Sequence, residues 1–154
     1  MPWPPAPRVV ALHLQHPGGR KARQLATVGM SLILEAHRDG RYGGSPQHEE
    51  AQLGRVLADK QRYSLLLFYS SHCKLCQALQ PVVEEVETNE RHRLSVARLN
   101  TDHEVQWAPE MLHYQVDTVP CFILLAPDGS ALCRTTAPRS LDHMTRCLQQ
   151  MVDL

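Results

Sequence analysis

The sequence predicts an α/β fold in which a central sheet is flanked by helices, and three observations support this prediction. Residues 64–69 form a short, continuous apolar run, which is typical of a strand covered on both faces. After Cys73 the period becomes helical, with apolar residues at Leu75, Leu79, Val82, Val83 and Val86. Helical and strand-like segments then alternate along the rest of the chain.

The composition limits the classes of partner. The chain has 154 residues, the size of one domain, and its 16 basic and 16 acidic residues cancel. A near-neutral chain argues against a nucleic-acid surface or a membrane-binding surface that depends on bulk charge. The sequence contains no apolar run that approaches the roughly 18–20 residues needed to cross a bilayer. We therefore expect no nucleic-acid partner and no membrane span.

We interpret residues 1–44 as a leader that precedes a folded domain at residues 45–154. Early prolines exclude a helix, and the first acidic residue is Glu35. The basic residues before it are Arg8, Arg20, Lys21 and Arg23. A basic, acid-free start is typical of an organelle transit peptide, although Ser and Thr are few here. The alternative is a disordered tail or an upstream extension with Met30 as a second start, and residues 31–34 could form a short edge strand.

The first half of the domain has patterns for two helices and two strands. Ser45 as N-cap and Pro46 at the first helical position predict a helix over about 46–60. The apolar strand at 64–69 follows it, and a second helix then runs from Cys73 to near Asn89. Alternating apolar and polar residues predict a strand at 94–100.

The second half of the domain has patterns for two more helices and a hairpin. Thr101 or Asp102 could cap a short helix that Pro109 interrupts and that carries apolar residues at Val105, Trp107, Met111 and Leu112. The turn at 127–130 predicts a hairpin between an apolar run at 121–125 and residues 131–133. Ser140 should cap a last helix whose buried stripe is Leu141, Met144, Leu148 and Met151 or Val152.

Cys73 and Cys76 lie where the first predicted strand ends and a helix begins. The unpaired N–H groups and the dipole of a helix N-terminus favour a thiolate, so we expect the pKa of Cys73 to be lowered, with help from the cation of Lys74. Cys76, one turn deeper, would be shielded. Cys73 can then attack a disulfide, and Cys76 can resolve the mixed disulfide.

The number and spacing of the cysteines indicate the redox compartment and the kind of cysteine site. Five cysteines at irregular spacing fit no secreted disulfide framework, which favours a reducing, intracellular compartment with one functional pair. Zinc usually needs four ligands, and Cys121, Cys133 and Cys147 stand alone in the sequence. Haem attachment would need a histidine where Gln77 stands. We interpret the three remaining cysteines as buried small hydrophobic residues, with Cys121 as an alternative third redox group.

Several motifs together resemble the thioredoxin family over residues 46–152. These motifs are the strand, turn and Cys-x-x-Cys of residues 68–76, a proline at Pro81, the segment 96–102, Thr118-Val119-Pro120, and Pro127-Asp128-Gly129. The resemblance implies a thioredoxin fold with a central mixed sheet of about four to five strands. It also implies a cis peptide bond before Pro120, with Val119 and Pro120 shaping a groove beside the two cysteines.

Five positions depart from the family pattern. His72 replaces the usual tryptophan, and Lys74 and Leu75 replace the usual Gly-Pro pair. The family's buried acidic residue, which assists proton removal from the second thiol, falls on Leu67, and a late glycine falls on Ala137. His72 is either an exposed turn residue or, together with Lys74, a group that tunes Cys73. The differences suggest a divergent branch that we associate with photosynthetic organisms.

The resemblance implies a thiol–disulfide oxidoreductase that reduces protein disulfides through Cys73 and Cys76 without a bound cofactor. We expect its partners to be disulfide-containing proteins and a separate reductase or dithiol electron donor, and we expect a monomer. The expected location is the chloroplast or the cytoplasm. The first alternative is a thioredoxin-like interaction module with little turnover, because Leu67 and the altered motif disfavour catalysis. A metal–sulfur site shared between two chains is the third hypothesis.

Overall fold

The computed structural model describes residues 44–154, so nearly all of the interpreted leader and the candidate edge strand at 31–34 lie outside the described residues. Helices and strands alternate in the predicted order. The helices are α1 (Pro46–Ala58), α2 (Lys74–Asn89), α3 (Glu104–His113) and α4 (Leu141–Val152). The strands are β1 (Tyr63–Tyr69), β2 (Leu94–Asn100), β3 (Cys121–Leu125) and β4 (Ala131–Arg134).

The four strands form one mixed sheet in the order β2-β1-β3-β4. β1 runs parallel to β2, with Tyr63 opposite Leu94, and antiparallel to β3, with Phe68 opposite Cys121. β3 and β4 form the antiparallel hairpin that the turn residues predicted. Strand β1 has a neighbour on each side, and every residue of it after Tyr63 is buried, which explains the continuous apolar run. The predicted mixed sheet is confirmed.

Helices cover both faces of the sheet. On one face, Leu66 and Phe68 of β1 pack with buried residues of α1 and α3, among them Leu53 and Trp107. On the other face, Leu65 and Leu67 alternate with them and pack in a second core with α2 and α4, whose buried residues include Leu79, Val83, Met144 and Leu148. The two layers hold the ends of β1 and β2 in place, and that is where the cysteines are.

Helix α1 is also bonded directly to the outer strand of the sheet. Gln52 Oε1 accepts a hydrogen bond from the backbone N–H of Arg98 at 3.0 Å. Glu49, one turn earlier on α1, accepts from the N–H of Asn100 at 3.0 Å. These N–H groups belong to β2, the last strand of the sheet on that side within residues 44–154. Side chains of α1 therefore satisfy backbone donors that no described strand pairs with.

Two predicted helix caps are confirmed. The hydroxyl of Ser45 accepts a hydrogen bond from the N–H of His48, and the hydroxyl of Ser140 accepts one from the N–H of His143. In α4 the predicted stripe is buried except at Leu141, which is 39% exposed. Leu141 is the first residue of the helix and lies at the margin of the core.

The predicted start of α3 was wrong. His103, not Thr101 or Asp102, is the N-cap, and its side chain makes no capping bond. Thr101 instead donates its N–H and its hydroxyl to the carbonyl of Tyr69, which extends the contact between β1 and β2. The carboxylate of Asp102 points to the turn before Cys73.

The predicted interruption of α3 was also wrong, because the helix continues through Pro109. A proline at this position removes the N–H that would bond to the carbonyl of Val105. Val105 is 94% exposed, so water can hydrate that carbonyl and the missing bond costs little. Leu112, two turns along the same face, is 80% exposed, so Val105 and Leu112 lie on the outer side of α3 and only Trp107 and Met111 contribute to the core.

The C-terminus of α3 closes in a Schellman arrangement. The N–H of Val116 bonds to the carbonyl of Met111 at 2.8 Å, and the N–H of Gln115 bonds to the carbonyl of Leu112 at 3.2 Å. Val116 is buried and Met111 packs on the same core, which supplies the apolar contact of the motif. Gln115 has a φ of +54°, a left-handed conformation that glycine adopts more readily than a residue with a Cβ atom.

We expect Gln115→Gly to raise the free energy of unfolding by about 1 kcal/mol, because the substitution relieves the left-handed strain. Urea unfolding at neutral pH measures this change. Gln150→Gly is the matched control: Gln150 is exposed within α4, where a glycine should lower the free energy of unfolding by up to about 1 kcal/mol. Loss of stability in both variants would contradict the role assigned to Gln115.

Candidate active site

The two cysteines at the start of α2 are joined by a disulfide bond, with their Cα atoms 5.2 Å apart. Cys73 is the N-cap of α2, and its Sγ accepts a hydrogen bond from the N–H of Cys76 at 3.1 Å. Cys73 is half-buried, whereas Cys76 is 1% exposed. The first sulfur is therefore the accessible one, and it lies where free N–H groups at the helix end can stabilise a negative charge.

A network of hydrogen bonds holds the turn before Cys73. Ser70 Oγ donates to Asp102 Oδ1 at 2.7 Å, and the N–H of Ser71 donates to Asp102 Oδ2 at 3.0 Å. The hydroxyl of Ser71 also donates to Asp102. Gln77 of α2 donates from Nε2 to the carbonyl of Ser71 at 3.0 Å. The hydrogen bonds from Ser71 and then Ser70 hold the pKa of Asp102 below its ordinary value.

His72 and Lys74 flank Cys73 and are both exposed. The N–H of His72 donates to Ser70 Oγ at 3.2 Å, so the backbone of His72 belongs to the network. The charge of His72 also contributes to lowering the pKa of Asp102, after the hydrogen bonds from the serines. That His72 and Lys74 tune the reactivity of Cys73 stays a prediction.

Val119 and Pro120 lie at the same end of the sheet as the cysteines. The peptide bond between them is cis, as the resemblance implied. Cys121, the next residue, pairs with Phe68, five positions before Cys73. Val119 is half-buried and packs against both cores. Ala137, with a φ of +48°, follows β4 at this same end of the sheet.

The second cysteine lies in an apolar core. Leu67 and Cys76 are both buried and belong to the same core. Leu67 therefore replaces the family's buried acid with an apolar core residue, and Cys76 is surrounded by apolar side chains.

Helix α1 carries a buried carboxylate, Glu49, that the sequence did not lead us to predict. Glu49 of α1 is 2% exposed and accepts hydrogen bonds from Tyr69 Oη at 2.8 Å, from the Asn100 N–H at 3.0 Å and from Trp107 Nε1 at 3.1 Å. Burial raises the pKa of Glu49, and these hydrogen bonds offset only part of that effect. Its signal in the sequence was weak, because an acid in the first turn of a helix is common on protein surfaces.

The remaining cysteines differ in burial. Cys121 is buried, as predicted, and burial raises the pKa of its thiol to about 11. Cys133 and Cys147 were predicted to be buried and are only half-buried. Cys133 lies on the edge strand β4, and Cys147 lies beside the buried stripe of α4, where Sγ is 3.7 Å from His143 Nε2.

Within residues 44–154, His, Cys, Asp and Glu side chains nowhere gather in a group of three or more that could hold a metal ion. The helices of the same residues include none that is long and apolar enough to cross a membrane.

Comparison with known proteins agrees with this fold. The sequence model of the family described as thioredoxin matches residues 45–150. The chain therefore belongs to the thioredoxin family.

Some of the similar proteins come from photosynthetic organisms, whereas another, the bifunctional thioredoxin reductase/thioredoxin, comes from Mycobacterium leprae. The chain is 33% identical over 129 residues to the thiol:disulfide interchange protein TxlA homolog of Synechocystis sp., covering 84% of this chain and 62% of that protein. It is 32% identical over 63 residues to the thioredoxin-like protein HCF164, chloroplastic, of Oryza sativa, covering 41% of this chain and 24% of that protein. The chain thus spans less than two thirds of the length of these relatives. Their sources agree with the divergent branch expected from the sequence.

A solved structure shows the same fold. The germline-specific thioredoxin Deadhead of Drosophila melanogaster superimposes with a TM-score of 0.52 at 19% identity, covering 62% of this chain and 87% of that one. The thioredoxin fold predicted from the sequence is confirmed.

Glu49→Leu is expected to lower the free energy of unfolding by about 3 kcal/mol, because three buried donors would lose their acceptor. Glu49→Gln is the matched control. Its amide oxygen can accept from Asn100 and Trp107, and its NH₂ group can donate to the hydroxyl of Tyr69, so we expect a change within about 1 kcal/mol. Equal losses in the two variants, measured by urea unfolding, would show that the hydrogen bonds are unimportant.

The same pair tests the pKa of Glu49. Because the pKa is raised in the folded state, the folded protein holds its proton more tightly than the unfolded chain does. The free energy of unfolding should therefore fall as the pH rises from the ordinary value of 4.5 through the folded pKa. This contribution should be missing in Glu49→Gln.

Proposed function

We propose that this protein is a thiol–disulfide oxidoreductase that reduces disulfides in other proteins. Membership of the thioredoxin family and the relative named as a thiol:disulfide interchange protein support thiol–disulfide chemistry at a general level. The observation that carries the proposal is the placement of an accessible Cys73 at the N-terminus of α2, bonded to a buried Cys76. We propose reduction, as opposed to oxidation, because we expect the protein to lie in a reducing compartment.

The proposed reaction needs only the two sulfurs. In the reduced protein, the Cys73 thiolate attacks one sulfur of a substrate disulfide, and the other sulfur leaves as a thiolate that takes up a proton. Cys76 then loses its proton and attacks the Cys73 sulfur, which releases the second substrate thiol and forms the Cys73–Cys76 disulfide. Two electrons have passed to the substrate. A separate reductase or dithiol protein restores the reduced state.

The apolar surroundings of Cys76 affect the second step. Burial beside Leu67 disfavours a thiolate at Cys76, because an apolar environment stabilises charge poorly. We therefore propose that resolution of the mixed disulfide, and not the first attack, limits turnover. With Leu67 in place of the family's acid, water would accept the proton of Cys76.

Val119 and Pro120 are proposed to position the substrate. At the end of the sheet where β3 begins, the backbone N–H and C=O of Val119 can pair with an extended peptide beside Cys73. Such pairing depends on the main chain of the substrate and accepts many sequences. Disulfide-containing proteins are the proposed substrate class.

The proposed location is a reducing intracellular compartment. The rice relative is described as chloroplastic, and the basic start of the chain, whose first acid is Glu35, supports residues 1–44 as a transit peptide to that organelle. The cytoplasm is the alternative location.

Reduction of insulin by the protein, with a chemical dithiol as electron donor, tests the proposed function. Cys73→Ser should abolish turnover, because no other described thiol is placed at a helix N-terminus beside a second cysteine. Cys76→Ser should hold substrate proteins as mixed disulfides on Cys73. The matched control is Cys121→Ala, which should change the rate by less than about twofold because the Cys121 thiol is buried and its thiolate is disfavoured.

Leu67 shares the apolar core of Cys76 at the position where the family has an acid, and this favours a second candidate, an interaction module with little turnover. The two candidates differ in the insulin assay and in partner binding. If the wild-type protein fails to reduce insulin, and Cys73→Ser still binds the same partners as the wild type, the protein is an interaction module and not an enzyme.

A further inference from the structure

Asp102 contacts the turn that carries the nucleophile, although it belongs to another part of the fold. It follows β2, and its own backbone is fixed there: its N–H donates to Asn100 Oδ1 at 2.9 Å. From this position its two carboxylate oxygens accept hydrogen bonds from Ser70 and Ser71. The carboxylate thus ties the end of β2 to the turn that follows β1.

The hydrogen bonds continue from the carboxylate to Cys73. Ser70 Oγ donates to Asp102 and accepts from the N–H of His72, and the Ser70 carbonyl accepts from the N–H of Cys73 at 3.2 Å. Each residue of the turn from Ser70 to Cys73 is therefore bonded to Asp102 directly or through Ser70. Movement of Ser70 would release both His72 and Cys73.

The need for this network differs between the two redox states. With the disulfide formed, a covalent bond to Cys76 inside α2 holds Cys73 at the N-cap position. Reduction removes that bond, and hydrogen bonds alone then keep Cys73 where the helix N-terminus can stabilise its thiolate. A group that holds the turn therefore stabilises the reduced state more than the oxidised state.

We propose that Asp102 is a positioning residue that holds the Ser70–Ser71 turn and thereby stabilises the reduced form of the Cys73–Cys76 pair. This proposal rests on the proposed function for its importance in turnover. The equilibrium concerned is that of the protein disulfide plus two glutathione thiols with the protein dithiol plus glutathione disulfide, in which two electrons pass to the protein.

The sign of the effect separates positioning from simple charge. A negative charge near Cys73 disfavours a thiolate, so charge alone would make removal of Asp102 favour the reduced state. Loss of a positioning group would instead favour the disulfide. The two explanations predict shifts of the equilibrium constant in opposite directions.

The experiment equilibrates the full chain with glutathione buffers and measures the fraction of dithiol by alkylation. We expect Asp102→Ala to lower the equilibrium constant for reduction about tenfold, which is about 30 mV for a two-electron couple. Asp102→Asn, which keeps an oxygen that can accept from one serine, should show a smaller decrease. In a Ser70→Ala/Ser71→Ala background, Asp102→Ala should have less than half of its effect on the logarithm of the constant, because two of the three hydrogen bonds are already lost.

Asp128→Ala is the matched control. Asp128 is also exposed and bonded to a serine, Ser130, but it lies in the β3–β4 hairpin at the opposite end of the sheet. Its removal deletes the same charge and should leave the equilibrium constant unchanged. Thermal unfolding of the oxidised variants confirms that each one folds.

An unchanged constant in Asp102→Ala, an increase in it, or a full effect in the double-serine background would overturn the proposal. The measurement uses glutathione and no protein substrate, so it can succeed even if insulin is not reduced. Failure of the proposed function and failure of this inference are therefore distinguishable.

Discussion

The structure depends on a carboxylate that is removed from water and surrounded by donors. Glu49 lies on α1, and its partners Tyr69, Asn100 and Trp107 lie at the end of β1, at the end of β2 and on α3. A buried charge is costly unless its hydrogen bonds are satisfied, and here each carboxylate oxygen has a partner. The four elements are therefore held in one relative position, at the same ends of β1 and β2 from which the turn before Cys73 begins.

The site follows from that arrangement. Because β1 and β2 are parallel, their carboxyl ends meet, and the turn after β1 lies beside the turn after β2. Tyr69 is thus adjacent to Asn100, and Ser71 is within hydrogen-bonding distance of Asp102. The antiparallel strand β3 begins at this same end and brings Pro120 to it. Three segments that are far apart in sequence converge on Cys73 because of the order and direction of three strands.

Periodicity predicted the strands and most of the helices because burial governs them. The run at 64–69 and the stripe on α4 are apolar since they face a core, and Ser45 and Ser140 cap helices through local bonds. The roles of Glu49 and Asp102 were not predictable in this way. The partners of Glu49 lie 20 to 58 residues away in sequence, and the serines that bond to Asp102 lie 31 to 32 residues away. No local sequence pattern predicts such contacts.

The contacts of α1 with β2 also bear on how molecules meet one another. An edge strand with free N–H groups can recruit a strand from a second chain, and this is a common start of aggregation. Gln52 and Glu49 occupy the outward N–H groups of Arg98 and Asn100. A strand from another molecule would have to displace two side-chain acceptors and the helix that carries them. Helix α1 therefore protects the backbone at 98–100 from intermolecular pairing as well as fixing the fold.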